Sequence, residues 1–196
     1  MHGILEYKYH CWDIASKKKV YGEDPVFIFD PADTRNSLPD DPDYSIAEKR
    51  WGMCPELLKK LFTRAFTSGL INPRKRVTEG EWQRIFLQLK DCTIGCPFCN
   101  VLNIWQPGHT LHCWHCQKEL KPETIIVFRH AETEQYMIPK ENGIISVRHV
   151  NYGLSGTNGN DQIGIIVKNP ENPTIFGIRN ISGMPWKARI RDEEII

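Results

Sequence analysis

The stretch CPFCNVLNIWQPGHTLHCWHC, residues 96–116, sets two C-x2-C pairs thirteen residues apart. Zinc seeks four ligands in a tetrahedron, and thiolates at about 2.3 Å satisfy it. A C-x2-C turn brings two sulfurs to one metal with little strain, and two such knuckles supply all four. Cys96, Cys99, Cys113 and Cys116 are therefore the candidate metal ligands, with zinc (Zn) as the expected ion. The intervening NVLNIWQPGHTLH has a Pro-Gly turn at 107–108 between two apolar runs, which predicts a hairpin between the knuckles. Rubredoxin-like iron or an iron–sulfur cluster uses the same paired thiolates. His109, His112 or His115 could replace a cysteine, although His115 sits inside a knuckle and is expected to point to solvent. Cys92, four residues before Cys96, is read as spare or as an alternate ligand.

Outward from the ribbon, the rest of the chain bounds what the metal does. Seven cysteines occur in 196 residues, at 11, 54, 92, 96, 99, 113 and 116, and five fall between 92 and 116. The N-terminal MHGILEYKYHCWD lacks a basic start followed by a long apolar run, so no signal peptide is read there. A cytoplasmic location is the expectation, and a reducing compartment favours metal over disulfides. Charge is balanced, 25 Lys and Arg against 24 Asp and Glu, which demands neither nucleic acid nor membrane as a partner. Between 92 and 116 there is not one Lys or Arg, and phosphate affinity comes mainly from such residues. Nucleic-acid binding by the ribbon is therefore disfavoured. A catalytic zinc needs an open position, which four cysteines do not leave. Thirty residues cannot build a sufficient apolar core, so a structural role for the metal is the primary reading.

Residues 1–91 read as helical but irregular. Four of the 13 prolines lie between 25 and 42, around PVFIFDP and ADTRNSLPDDPDYS, and predict a packed but loop-like path. In PELLKKLFTRAFTSGL, Leu57, Leu58, Leu61, Phe62, Ala65 and Phe66 recur at helical spacing, with Gly69 as the expected stop. In TEGEWQRIFLQLK, Thr78 and Glu81 form a capping box, and Trp82, Ile85, Phe86 and Leu89 make an apolar stripe expected to face a core. Residues 122–196 read as strands: TIIVF, QYMI, GIISVRHV, QIGIIVK and TIFGI, rich in β-branched residues. Turns are expected at ENG 141–143, GTNGND 156–161 and NPENP 169–173. No phosphate-binding glycine loop and no HRD, DFG or G-x-S-x-G motif is present. His130 and His149 stand alone, without an identifiable catalytic partner.

Residues 51–89, WGMCPELLKKLFTRAFTSGLINPRKRVTEGEWQRIFLQL, resemble the end of a protein-kinase C-lobe. There a helix is followed by D-P-x-x-R-x-T and a last helix. Asn72, Pro73, Arg76 and Thr78 match that second pattern, with Asn in place of Asp. The resemblance implies that Arg76 is the buried structural arginine that pairs with the glutamate of an A-P-E motif, a glutamate this chain lacks. Upstream, HGILEYKYHCWDIASKKKVYGEDPVFIFDP resembles the segment after the central C-lobe helix in bacterial eukaryotic-like Ser/Thr kinases of tellurite-resistance and stress-response clusters. Some of these are described as carrying a helix-hairpin-helix DNA-binding segment, and a zinc ribbon and β-rich tail follow their kinase part. The likeness covers roughly residues 1–121. ATP-site, catalytic-loop and activation-segment motifs are all missing, so no nucleotide ligand carries over. SVRHV and NYGLSGTNGND resemble a phosphothreonine-binding forkhead-associated domain, with Arg148 and Ser155 as its nearest candidates.

The expected fold class is α+β in three parts: a partial kinase-like C-lobe at 1–91, a zinc ribbon at 92–121 and a mostly antiparallel β domain at 122–196. The expected role is a non-catalytic regulatory or docking region of a kinase-like protein. Its partners would be proteins or the absent kinase part. Zinc-ribbon nucleic-acid binding and phosphopeptide binding are the alternatives.

Overall fold

The PVFIFD run at 25–30 has neither a helical nor a strand period, yet it forms the centre of the first half of the molecule. In the computed structural model, which describes residues 13–18, 22–37, 40, 42–130, 133–151, 161–186, 188–190 and 193–195, this run is irregular backbone. Val26, Phe27 and Ile28 are all buried. The chain divides into two compact units, Met1–Ile85 and Phe86–Ile196. It is an α+β protein with small antiparallel sheets.

The first unit is helical. A short helix α1 (Ile14–Lys18) and a 3-10 turn at Thr34–Asn36 precede α2 (Pro42–Met53), α3 (Glu56–Phe66) and α4 (Ser68–Ile71). Helix α5 (Glu79–Asp91) starts in this unit. Phe27 stacks on Phe66 at 5.6 Å and meets Trp51 edge-on at 5.6 Å. Phe29 stacks on Trp51 at 4.7 Å, and Phe62 joins Phe66 to Trp82 of α5. Offset-stacked and edge-to-face pairs of this kind add to area burial by about 0.5–1.5 kcal/mol each. Phe62, Phe66 and Trp82 thus pack into a core, as their helical spacing implied, and Phe27 and Phe29 join them from the irregular run. Irregular backbone is tolerated here because its polar groups find partners: the buried Asn36 amide donates to the Val26 carbonyl at 3.0 Å.

Three local expectations need correcting. Gly69 does not stop α3. The helix breaks at Thr67, and Gly69 lies buried inside α4, where an added Cβ would sit 2.8 Å from the Arg64 carbonyl oxygen. Glycine is there for close backbone approach. Leu57 and Phe86 are exposed rather than core. Arg76 is also exposed; its Nε donates to the Gly69 carbonyl at 3.4 Å, while Arg64 pairs with Glu81 and Lys59 with Glu56. The Thr78–Glu81 capping box does form. The Thr78 N–H donates to Glu81 Oε2 at 2.9 Å, and the Glu81 N–H donates to Thr78 Oγ1 at 3.3 Å.

The second unit holds both the expected ribbon and the expected β-rich segment. Strands β1 (Thr93–Gly95) and β2 (Leu102–Ile104) pair antiparallel, as do β3 (Leu111–His112) and β4 (Glu119–Leu120). Then come the hairpin β5 (Ile126–His130)–β6 (Thr133–Met137), strand β7 (Ile144–Ser146), helix α6 (Val147–Val150), β8 (Gln162–Lys168) and β9 (Phe176–Asn180). Strands β10 (Ala188–Ile190) and β11 (Glu193–Ile195) form a last pair. The central sheet has the order β7-β8-β9. Met137, Ile145 and Ile166 are its buried heart, with Phe128, Phe176 and Trp186 packed against them. The Trp186 ring lies so close over Gly164 that a Cβ there would sit 2.8 Å from it.

Two turns at 107–108 and 141–143 fall where the sequence put them, with Gly108 at φ +76° and Asn142 at φ +60°. SVRHV is not one strand: β7 ends at Ser146 and the chain turns into α6. The cause is His149, whose Nδ1 accepts the Ser146 N–H at 2.9 Å and caps the turn. Residues 156–160 of the turn expected at 156–161 lie outside the described residues, as do Ser155 and the His130 side chain.

Candidate metal centre

Each C-x2-C pair is the tip of its own hairpin. The first lies between β1 and β2 and the second between β3 and β4, which corrects the expectation of one hairpin joining the knuckles. The two tips repeat one backbone design. The Cys96 N–H donates to the Val101 carbonyl at 2.9 Å and the Cys113 N–H to that of Lys118 at 2.8 Å. The Asn100 N–H returns to the Cys96 carbonyl at 2.8 Å, and the Gln117 N–H to that of Cys113 at 2.9 Å. Asn100 and Gln117, each four residues past the first cysteine, turn left-handed at φ 60° and 61°. Such a turn aims both sulfurs of a knuckle to the same side.

The outcome is a cage. The sulfurs of Cys96, Cys99, Cys113 and Cys116 all lie within 4.8 Å of one another. Cys96 and Cys116 are 3.6 Å apart and Cys99 and Cys113 3.5 Å, across the knuckles. A disulfide would hold its sulfurs at about 2.05 Å, so these are four free thiols. Cys96 and Cys113 are sealed, at 1% and 0% exposure, and Leu120, Ile94 and Leu111 pack around them.

The environment pulls two of these thiols in opposite directions. Burial opposes ionisation of Cys113. The N–H groups of Cys116 and His115, the Cys99 thiol and the Asn103 amide outweigh it and bring the thiol down to about 6. Cys99 goes the other way. The Val101 N–H lowers it, but burial and the three neighbouring thiols together push it up to about 12. Four sulfurs in one small space resist accumulating negative charge unless a cation shares it. A group of four cysteines this close can therefore hold a thiophilic metal ion.

Asn103 supports the cage and was not singled out in the sequence. It is buried at 4% exposure. Its Nδ2 donates to the Val101 carbonyl at 2.9 Å and to Cys113 Sγ at 3.6 Å, while its Oδ1 accepts the Trp114 N–H at 3.0 Å. One side chain thus ties the first hairpin to the second knuckle, the kind of outer contact that orients metal ligands. The sequence signal was faint: an asparagine at an otherwise apolar strand centre.

Cys92 is not part of the cage. It is buried, its thiol donates to the Tyr136 carbonyl at 3.2 Å, and burial with the Asp91 charge pushes it up to about 11. His115 is exposed beside the Trp114 ring, as its place in the knuckle suggested. His109, His112 and His115 do not join the four sulfurs. The surface of the ribbon is apolar at Phe98, Leu102 and Trp114, exposed by 58%, 66% and 47%. Lys118 lies over the Phe98 ring at 3.9 Å.

A second constellation joins residues far apart in sequence. Arg148 donates to both oxygens of Asp91, at 2.7 and 3.0 Å, and His149 Nε2 lies 3.1 Å from the same carboxylate. His149 is a buried, packed residue, held by Asp91 and Ser146. Ser146 Oγ is 3.2 Å from His149 Nδ1, which completes a Ser-His-Asp set by composition. Its chemistry is structural. The Nδ1 lone pair already accepts the Ser146 backbone N–H, and Ser146 itself is buried. Burial works to raise Asp91, but the hydrogen bonds from His149 and Arg148 outweigh it and hold its carboxyl below the usual range.

No helix among the described residues is long and apolar enough to cross a membrane. No protein-family model matches the chain, and no curated protein or solved structure is significantly similar to it.

Proposed function

We propose that the four thiols hold zinc as a structural staple and that the chain is a non-catalytic docking region of a Ser/Thr-kinase-like protein. The observation that carries the zinc reading is the closed cage of four cysteines. A tetrahedron with metal–sulfur bonds of about 2.3 Å has edges of about 3.8 Å, close to the cross-knuckle separations of 3.5 and 3.6 Å. Soft thiolate donors suit zinc, and a full set of four suits a structural rather than a catalytic ion. The ribbon carries no ionic charge from 92 to 116 yet exposes Phe98, Leu102 and Trp114, a surface chemistry that fits protein contact.

The kinase link rests on sequence resemblance alone, through Asn72, Pro73, Arg76, Thr78 and the order of motifs. Equilibrium binding of Mg·ATP and a phosphotransfer assay on the purified chain test the non-catalytic reading. Neither saturable nucleotide binding nor transfer is expected, and either would overturn it. Nucleic-acid binding is the second reading, favoured by Phe98 and Trp114 as stacking surfaces with Lys118 nearby. Filter binding at low salt decides it, because the phosphate contribution is largest there.

A further inference from the structure

The second unit contains an open cavity of about 400 Å³ beside the Asp91 constellation. Lys90, Asp91, Lys140, Asn142, Arg148 and Gln162 supply its polar lining. Three of these are cations and one is an acid, so the lining has an excess of two positive charges. Asp91 does not need the two lysines. Arg148 already meets it through two bonds, and His149 adds a third. The next acid along the turn, Glu141, lies 3.8 Å from Lys168 instead. Arg148 is held rigid with its side chain only 13% exposed, and Asp91 takes two of its five N–H donors. Lys140, an exposed residue of the lining, donates its ammonium to Thr93 Oγ1 at 2.5 Å. The side-chain amides of Asn142 and Gln162 add N–H donors.

We propose that this cavity is a binding site for a phosphate group, with Lys90, Lys140 and Arg148 as its cationic walls. A phosphate monoester carries about −1.5 to −2 charge at neutral pH and three acceptor oxygens, which matches two excess positive charges and several N–H donors in the lining. A carboxylate would neutralise only one of them. The site shares no residue with the thiolate cage and does not depend on what the ribbon docks.

The test is a titration of the full metal-loaded chain at low ionic strength with inorganic phosphate, phenyl phosphate and a phosphothreonine peptide. NMR shifts at the cavity amides and calorimetry read it out. Saturable binding of at least one phosphate probe is expected. Binding should weaken by about tenfold or more in the Lys90→Gln/Lys140→Gln variant, as expected when two charge-assisted contacts are lost. It should persist in Lys90→Arg/Lys140→Arg, and both variants should keep the parent melting temperature. Equal binding of inorganic phosphate and peptide would assign a small phosphorylated ligand, whereas selective peptide binding would assign a phosphorylated protein segment. Absence of saturable binding by all three probes would overturn the site, and so would an unchanged affinity in the glutamine variant.

Discussion

Replacing Asp91 by alanine should damage the second unit more than any other single polar substitution. Its carboxylate receives bonds of 2.7, 3.0 and 3.1 Å from Arg148 and His149. The three side chains are 10%, 13% and 1% exposed, so little water reaches them to replace what is lost. Breaking a buried pair by removing one partner costs about 3–5 kcal/mol, chiefly because the other charge stays buried and unpaired. With a urea slope of about 1–3 kcal/mol/M, the unfolding midpoint should fall by more than about 1 M. The assay is urea denaturation followed by tryptophan fluorescence, with metal saturating throughout so that metal loss does not enter. Glu134→Ala is the control, because the Arg129–Glu134 pair is 76% and 39% exposed and its loss should leave the midpoint unmoved. Asp91→Leu/Arg148→Met should recover much of the stability, since replacing both partners by apolar groups leaves no orphan charge. A loss below about 1 kcal/mol for Asp91→Ala would refute the reasoning, because it would show that Arg148 finds other solvation.

Asn103→Ala removes the tie between hairpin and knuckle. Metal affinity, measured by competition with a chromogenic chelator, should drop by about 10–100-fold, and a change below about twofold would show that the cage needs no such support. Gly69→Ala places a Cβ 2.8 Å from the Arg64 carbonyl, and thermal melting should report a loss of about 1–3 kcal/mol. Glu81 is held down to about 2, chiefly by its hydrogen bond from Arg64, against an ordinary value of 4.5. A depressed acid stabilises the fold fully above its unfolded value and loses that contribution as pH falls through the folded one. The melting-temperature gap between the parent chain and Glu81→Gln should therefore be constant above about pH 5 and close as pH approaches 2. A gap that persisted at low pH would exclude that linkage.

What could be read from the sequence was whatever repeats locally. The Thr78–Glu81 capping box, the α5 helix and the turns at 107–108 and 141–143 depend on neighbours within a few residues, and they form where expected. The C-x2-C spacing fixes two sulfurs per knuckle, so the four cysteines could be named before their cage was seen. What depends on distant partners was hidden. Asp91 looks like an ordinary helix end, and only the fold brings it to Arg148 and His149, 57 and 58 positions away. His149 therefore turned a predicted strand into a helical turn. The division of the ribbon into two hairpins was missed for a related reason. The Pro-Gly turn is real, but among the described residues the strands flanking each knuckle pair with each other, and β2 does not pair with β3. Periodicity also overcalled burial at Leu57 and Phe86, because a helical stripe says which residues share a face and not how far the core extends.

The most direct test of the thiolate cage is metal analysis of the purified chain combined with amide hydrogen exchange over residues 93–120. One zinc ion per chain is expected, lost in Cys113→Ser, with amide protection in the two hairpins collapsing when a strong chelator is added. A metal-free chain whose hairpin amides exchange at the same slow rate with and without chelator would contradict it.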